Sequence, residues 1–142
     1  MHQPAALHCA AEMLADRLMA EADPEQWLGI RYAGGGQLDR DAVVAATQEA
    51  AALAFASWRD GAAPDTKVWE KSKDNPVSDI DIAVDALLTK RLRAILPEAA
   101  WLSEETIDDP SRLDARLLWL VDPIDGTRDY VRGRSGWCVS VA

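Results

Sequence analysis

Apolar and polar positions divide the chain into stretches of different period. Residues 5–22 are rich in alanine and place Leu7, Ala11, Leu14 and Leu18 at helical spacing, which predicts an amphipathic helix ended by Asp23-Pro24. A second helix is expected from about Ala42 to Arg59, capped by Asp39 or Asp41 and closed by Asp60-Gly61. Its apolar stripe is read as Val43, Ala46, Ala50, Leu53 and Phe55 to Trp58. A third, started by Ser78 or Asp79, runs to about Leu96 before Pro97, with Ile80, Val84, Leu87, Leu88, Leu92 and Ile95 on its buried face.

The remaining apolar segments are short and read as strands. These are Thr66–Glu70, Ala99–Leu102, Leu117–Val121 and Trp137–Ala142. Leu117-Leu118-Trp119-Leu120-Val121 has no alternation, the pattern of a strand covered on both faces. Regular pairing is expected to stop at Asp122-Pro123, since proline has no N–H to donate. Asp108-Asp109-Pro110-Ser111 reads as a surface turn and Arg128 to Val131 as one helical turn. Cys138 and Ser140 read as packing residues of the last strand.

Composition narrows the class. The 142 residues are 49% hydrophobic and 27% charged, which fits a globular domain with a core. No apolar run is long enough for a transmembrane helix, and the first residues lack a secretory pattern. Cys9 and Cys138 sit in ordinary apolar contexts and read as two free thiols of a cytoplasmic protein. A net charge of −9 argues against a nucleic-acid polymer as partner. Gly34-Gly35-Gly36 lacks the Lys-Ser/Thr of a phosphate-binding loop and reads as a linker.

The chemistry gathers at the ends of two strands. Asp122 and Asp125 bracket the bend after Leu117–Val121, and Glu104-Glu105 follow Ala99–Leu102. Alone, Asp-Pro and Asp-Gly are ordinary turn dipeptides. Together, four carboxylates at strand ends repel by about 4 kcal/mol for each pair ~4 Å apart at an effective dielectric of ~20. They therefore call for cations, and oxygen ligands without nearby His or Cys favour magnesium over zinc. Asp81, in the first turn of the third helix, is equally explained by the helix dipole.

Three motifs carry a resemblance: Lys71-to-Asp81 (KSKDNPVSDID), Trp101-to-Glu105 (WLSEE) and Trp119-to-Thr127 (WLVDPIDGT). In this order and spacing, from about Asp41 to Ala142, the chain resembles the inositol monophosphatase superfamily. Haloacid-dehalogenase phosphatases also end a motif in Asp-Gly-Thr, but their nucleophile position is Pro123 here. The resemblance implies an α/β (α+β layered) sugar-phosphatase-like fold, with residues 1–40 outside it. It implies a phosphomonoesterase of a small phosphorylated metabolite, an inositol monophosphate or a 3'(2'),5'-bisphosphate nucleotide. Ser103-Glu104-Glu105 and the Lys71-to-Val77 loop lean toward the nucleotidases.

The resemblance also implies the roles. Glu104, Asp122, the Ile124 carbonyl and Asp125 would ligate two Mg2+ ions, with Glu105 the candidate for a third. Asp81 and Thr127 would orient the attacking water, and Gly126 and Thr127 would meet the phosphate together with Glu104, Ile124 and Asp125. The lysine-rich loop would fold over the metals and bring one lysine near. The family continues into a further sheet-and-helix half with another metal-binding aspartate and most substrate contacts. On that pattern residues 41–142 read as the first part of such a domain, truncated relative to it. This leaves two expectations: an active phosphatase, or a catalytically incompetent fragment or interaction module that retains the acidic pocket. An unpaired Trp137-Cys138-Val139 edge further predicts homodimers.

Overall fold

The computed structural model of the protein describes residues 38–142, apart from residue 74. The first predicted helix, the glycine linker and Cys9 lie outside the described residues. Asp39 to Ala142 form one compact unit.

Helix α1 spans Arg40–Ser57, and the Asp39 carboxylate caps it by accepting from the Ala42 N–H at 3.0 Å. The buried row is Ala46, Ala50 and Ala54, with Trp58 just beyond. Leu53 and Phe55, expected in the stripe, are exposed. The reason lies in the partner. Helix α2, Asp79–Ile95, packs against α1 and buries Val84, Leu88 and Leu92. A row of methyls four residues apart lets the larger row approach closely, whereas bulky residues on that face would hold the helices apart. Arg91 of α2 grips Glu49 of α1 through two 2.8 Å hydrogen bonds at the rim of this contact.

Between the helices the lysine-rich segment is a hairpin rather than a loop. Strand β1, Val68–Ser72, pairs antiparallel with β2, Asn75–Ser78, and the register slips between Glu70 and Ser72. Pro76 is accommodated because a two-stranded sheet leaves each strand with an open edge. β2 runs directly into α2, so the hairpin delivers the helix start.

The main sheet has the order β3-β4-β5. β3, Ala100–Ser103, lies parallel to β4, Leu118–Asp125, in the register Ser103 opposite Val121. The connection carries an exposed 3-10 turn, Pro110–Asp114. β5, Cys138–Val141, runs antiparallel to β4. Pairing does not end at Asp122: it shifts register there and resumes at Asp125 opposite Cys138, a bulge around Pro123.

Burial along β4 alternates, contrary to the reading of a strand covered on both sides. Trp119 and Val121 are buried against α2, whereas Leu118 and Leu120 are 38% and 50% exposed. Only one face of this sheet is covered by the described helices. Cys138 and Ser140 are likewise exposed rather than packed. No helix among the described residues is long and apolar enough to cross a membrane.

Candidate functional site

The site is built where three elements end together. Asp81 is the third residue of α2 and takes part in a capping box with Ser78. The Ser78 N–H and hydroxyl donate to Asp81 Oδ2 at 2.8 and 2.5 Å, and the Asp81 N–H reaches back to Ser78 Oγ at 3.4 Å. A Ser-x-x-acid pattern before an apolar helical run is the sequence signal for this lock. It goes further than a dipole effect, because the carboxylate is only 1% exposed and fixed in direction.

Its other oxygen, Oδ1, accepts from the Thr127 hydroxyl at 3.0 Å. That hydroxyl also lies 2.8 Å from the Ile124 carbonyl. A threonine hydroxyl has one proton, so it serves one of these acceptors at a time. Thr127 begins the single helical turn α3, Thr127–Tyr130, after Gly126 at φ +90°. A Cβ at Gly126 would come within 2.7 Å of the Gly136 carbonyl, so the bend requires glycine. The turn is anchored from behind: the buried Tyr130 hydroxyl donates to the Ala54 carbonyl at 2.7 Å, and burial pushes its pKa up to about 12.

The carboxylates follow from the strand register. With Ser103 beside Val121, the next residues, Glu104 and Asp122, leave the parallel strands side by side. The Glu104 N–H donates to the Val121 carbonyl at 3.3 Å. Burial, then the neighbouring and hydrogen-bonded Glu104, then Asp125 raise Asp122 to about 7. The acids around Asp122 thus favour its protonated form when no cation is present. A cleft of roughly 350 Å³ opens beside them, lined by Glu104, Asp122 and Asp125 together with Leu102, Leu120 and Ser140.

Glu105 feels Glu104 and Asp81, and it also has a basic partner. It forms a 2.5 Å ion pair with Lys71 of β1, its side chain 5% exposed. The contact is a charge pairing more than an aligned hydrogen bond, since Glu105 Oε2 has no well-oriented donor. Burial raises the Glu105 pKa and Lys71 opposes that rise. Lys71 also donates to the Glu104 carbonyl at 3.2 Å, so it touches both residues of the acidic turn.

Among the described residues, no three carboxylate, thiol or imidazole groups close into a ready cation cage. The donor set nevertheless fits a hard divalent ion. It is entirely oxygen, and the neighbouring Glu104 and Asp125 raise Asp122, a repulsion that a bound cation would relieve. Sequence reasoning had not picked out the Ser78 lock on Asp81, nor the buried Asp85 and Ser103 described below.

Comparison with known proteins places the fold. The model of the inositol monophosphatase family matches residues 38–142. A 3'-phosphoadenosine 5'-phosphate phosphatase of Mycobacterium leprae is 48% identical over 63 residues, covering 44% of this chain and 23% of that protein. The extragenic suppressor protein SuhB of Bartonella henselae superposes with a TM-score of 0.63 at 24% identity, over 72% of this chain and 38% of that one. An IMPase/NADP phosphatase solved with Mg2+ and phosphate gives a TM-score of 0.50 at 24% identity, covering 55% and 30% of the two chains. The structural likenesses establish the layered α/β fold, and the chain spans well under half the length of the relatives it matches. With the family model covering most of the chain and the fold in agreement, this protein belongs to the inositol monophosphatase family over residues 38–142.

Proposed function

We propose that the protein serves a Mg2+-dependent phosphomonoesterase whose substrate is a 3'(2'),5'-bisphosphate nucleotide or, second in order, an inositol monophosphate. The observation that carries this reading is the Asp81–Thr127–Ile124 arrangement together with Asp122 raised by the neighbouring acids Glu104 and Asp125. Glu104, Asp122, Asp125 and the Ile124 carbonyl would hold Mg2+. When bound, the ion neutralises phosphate oxygens and acidifies water, which removes the need for a histidine base.

The chain's own residues supply the rest. The Thr127 hydroxyl donates its one proton to Asp81 or to the Ile124 carbonyl; were that carbonyl to hold the ion, the proton would serve Asp81 and the threonine oxygen would be free to accept from a water. Asp81 cannot swing away, because Ser78 holds its other oxygen. Gly126 lacks a side chain where the backbone would meet the phosphate. The nucleotide preference is supported by the likeness to the 3'-phosphoadenosine 5'-phosphate phosphatase of Mycobacterium leprae and by Ser103-Glu104-Glu105.

The test is phosphate release from adenosine 3',5'-bisphosphate and from inositol 1-phosphate while Mg2+ is titrated. Release that rises with Mg2+ and favours the nucleotide is expected. A protein that binds Mg2+ yet releases phosphate from neither ester ends the proposal.

A further inference from the structure

Two buried polar side chains take no part in the chemistry above. Asp85 is 6% exposed and Ser103 is 5% exposed. The Ser103 hydroxyl donates to Asp85 Oδ1 in a short contact. The Ser103 Oγ in turn accepts from the Glu105 N–H at 3.2 Å. Ser103 thus ties the end of β3 to α2 on one side and to the Glu104–Glu105 turn on the other.

Glu104 needs such a tie. Its residue is exposed, so packing does not aim its carboxylate. Besides its Asp122 neighbour, what fixes it is the backbone it hangs from, where each flanking group is held. The Glu104 N–H is fixed by the Val121 carbonyl, the Glu104 carbonyl by Lys71, and the Glu105 N–H by Ser103. Asp85 lies one helical turn beyond Asp81 on the same face of α2. One helix therefore holds the Thr127 bend through Asp81 and the Glu104 turn through Asp85.

We infer that Asp85 and Ser103 are positioning residues that aim the Glu104 carboxylate for cation binding, with α2 as the rigid spacer between the two parts of the site. The inference rests on the reading of Glu104 as a metal carboxylate given under Proposed function. Ser103→Ala removes the bridge while leaving every ionisable side chain of the site in place. Loss of such outer partners weakens metal binding about 10- to 100-fold. Ser103→Thr retains the hydroxyl and Asp85→Asn retains the acceptor, so both should stay close to the parent.

The experiment is Mg2+ binding to the whole chain by titration calorimetry, with thermal melting of each variant alongside. Ser103→Ala should bind Mg2+ at least about tenfold more weakly while still melting cooperatively, and Ser103→Thr should restore the affinity. Glu104→Gln separates the two levels of the argument. If it leaves Mg2+ binding unchanged, the metal reading fails and the inference goes with it. If Glu104→Gln weakens binding but Ser103→Ala does not, the metal reading stands and the positioning role is wrong. Should Ser103→Ala fail to fold, Asp85→Ala with Asp85→Asn as its rescue decides the matter: equal Mg2+ affinity in the two overturns the inference.

Discussion

The Thr127 hydroxyl donates to the Asp81 carboxylate across 3.0 Å, joining a bend after β4 to the first turn of α2. The expected consequence is a division of labour between proton handling and cation holding. Thr127→Ala should lower kcat by about 10²- to 10⁴-fold, the range for losing a positioned acid–base group, while the Mg2+ concentration for half-activity stays near its original value. Thr127→Ser should recover most of the rate. Steady-state kinetics across a Mg2+ titration separate the two effects, and a variant that lost Mg2+ affinity at unchanged kcat would reverse the assignment.

Asp125→Asn preserves shape and removes one negative charge from the carboxylate set that raises Asp122. Activity should fall by orders of magnitude at ordinary Mg2+ and return only partly at excess Mg2+, because a neutral amide is a poorer ligand for a hard cation. Turnover close to the parent's without extra Mg2+ would contradict the role.

The acid pair also sets a pH dependence. Asp122 titrates at about 7 in the folded, cation-free protein and near 3.8 unfolded. The unfolded state therefore gives up its proton first as pH rises, and the stability linked to this group is present below about 4 and lost on the way to about 7. Asp85 and Glu105, both raised by burial, add in the same direction. Urea midpoints of the cation-free protein should fall between about pH 5 and pH 8. Mg2+ should raise the midpoint more at the higher pH, where it meets ionised carboxylates. A midpoint that climbs with pH in the absence of cations would refute the pairing.

Ser78→Ala tests the lock on Asp81. It removes the cap of α2 and a donor to a buried carboxylate. Loss of a cap alone costs about 1–2 kcal/mol, and the buried charge left short of a partner adds to it. The urea midpoint should drop accordingly, and kcat should fall as well because Asp81 is no longer held. Full activity in a destabilised variant would show that the lock serves folding only.

Much was legible in the sequence because it depends on near neighbours. The span of α2, its serine start and its stop before Pro97 follow from local capping and period, and the acids at the strand ends follow from where apolar runs stop. The layered α/β class and the family followed from three motifs in order. What the sequence left open depends on partners distant along the chain. Only the packing of α2 chose the alanine row of α1 over Leu53 and Phe55, since a helix offers several faces and the neighbour selects one. Likewise an apolar strand such as Leu118 to Val121 does not say how many layers will cover it; the helices lie on the Trp119 and Val121 side. The parallel register of β3 and β4 set Glu104 beside Asp122, and the hairpin brought Lys71 to Glu105. Residue type names the candidates for chemistry, whereas strand register and helix packing decide which of them meet.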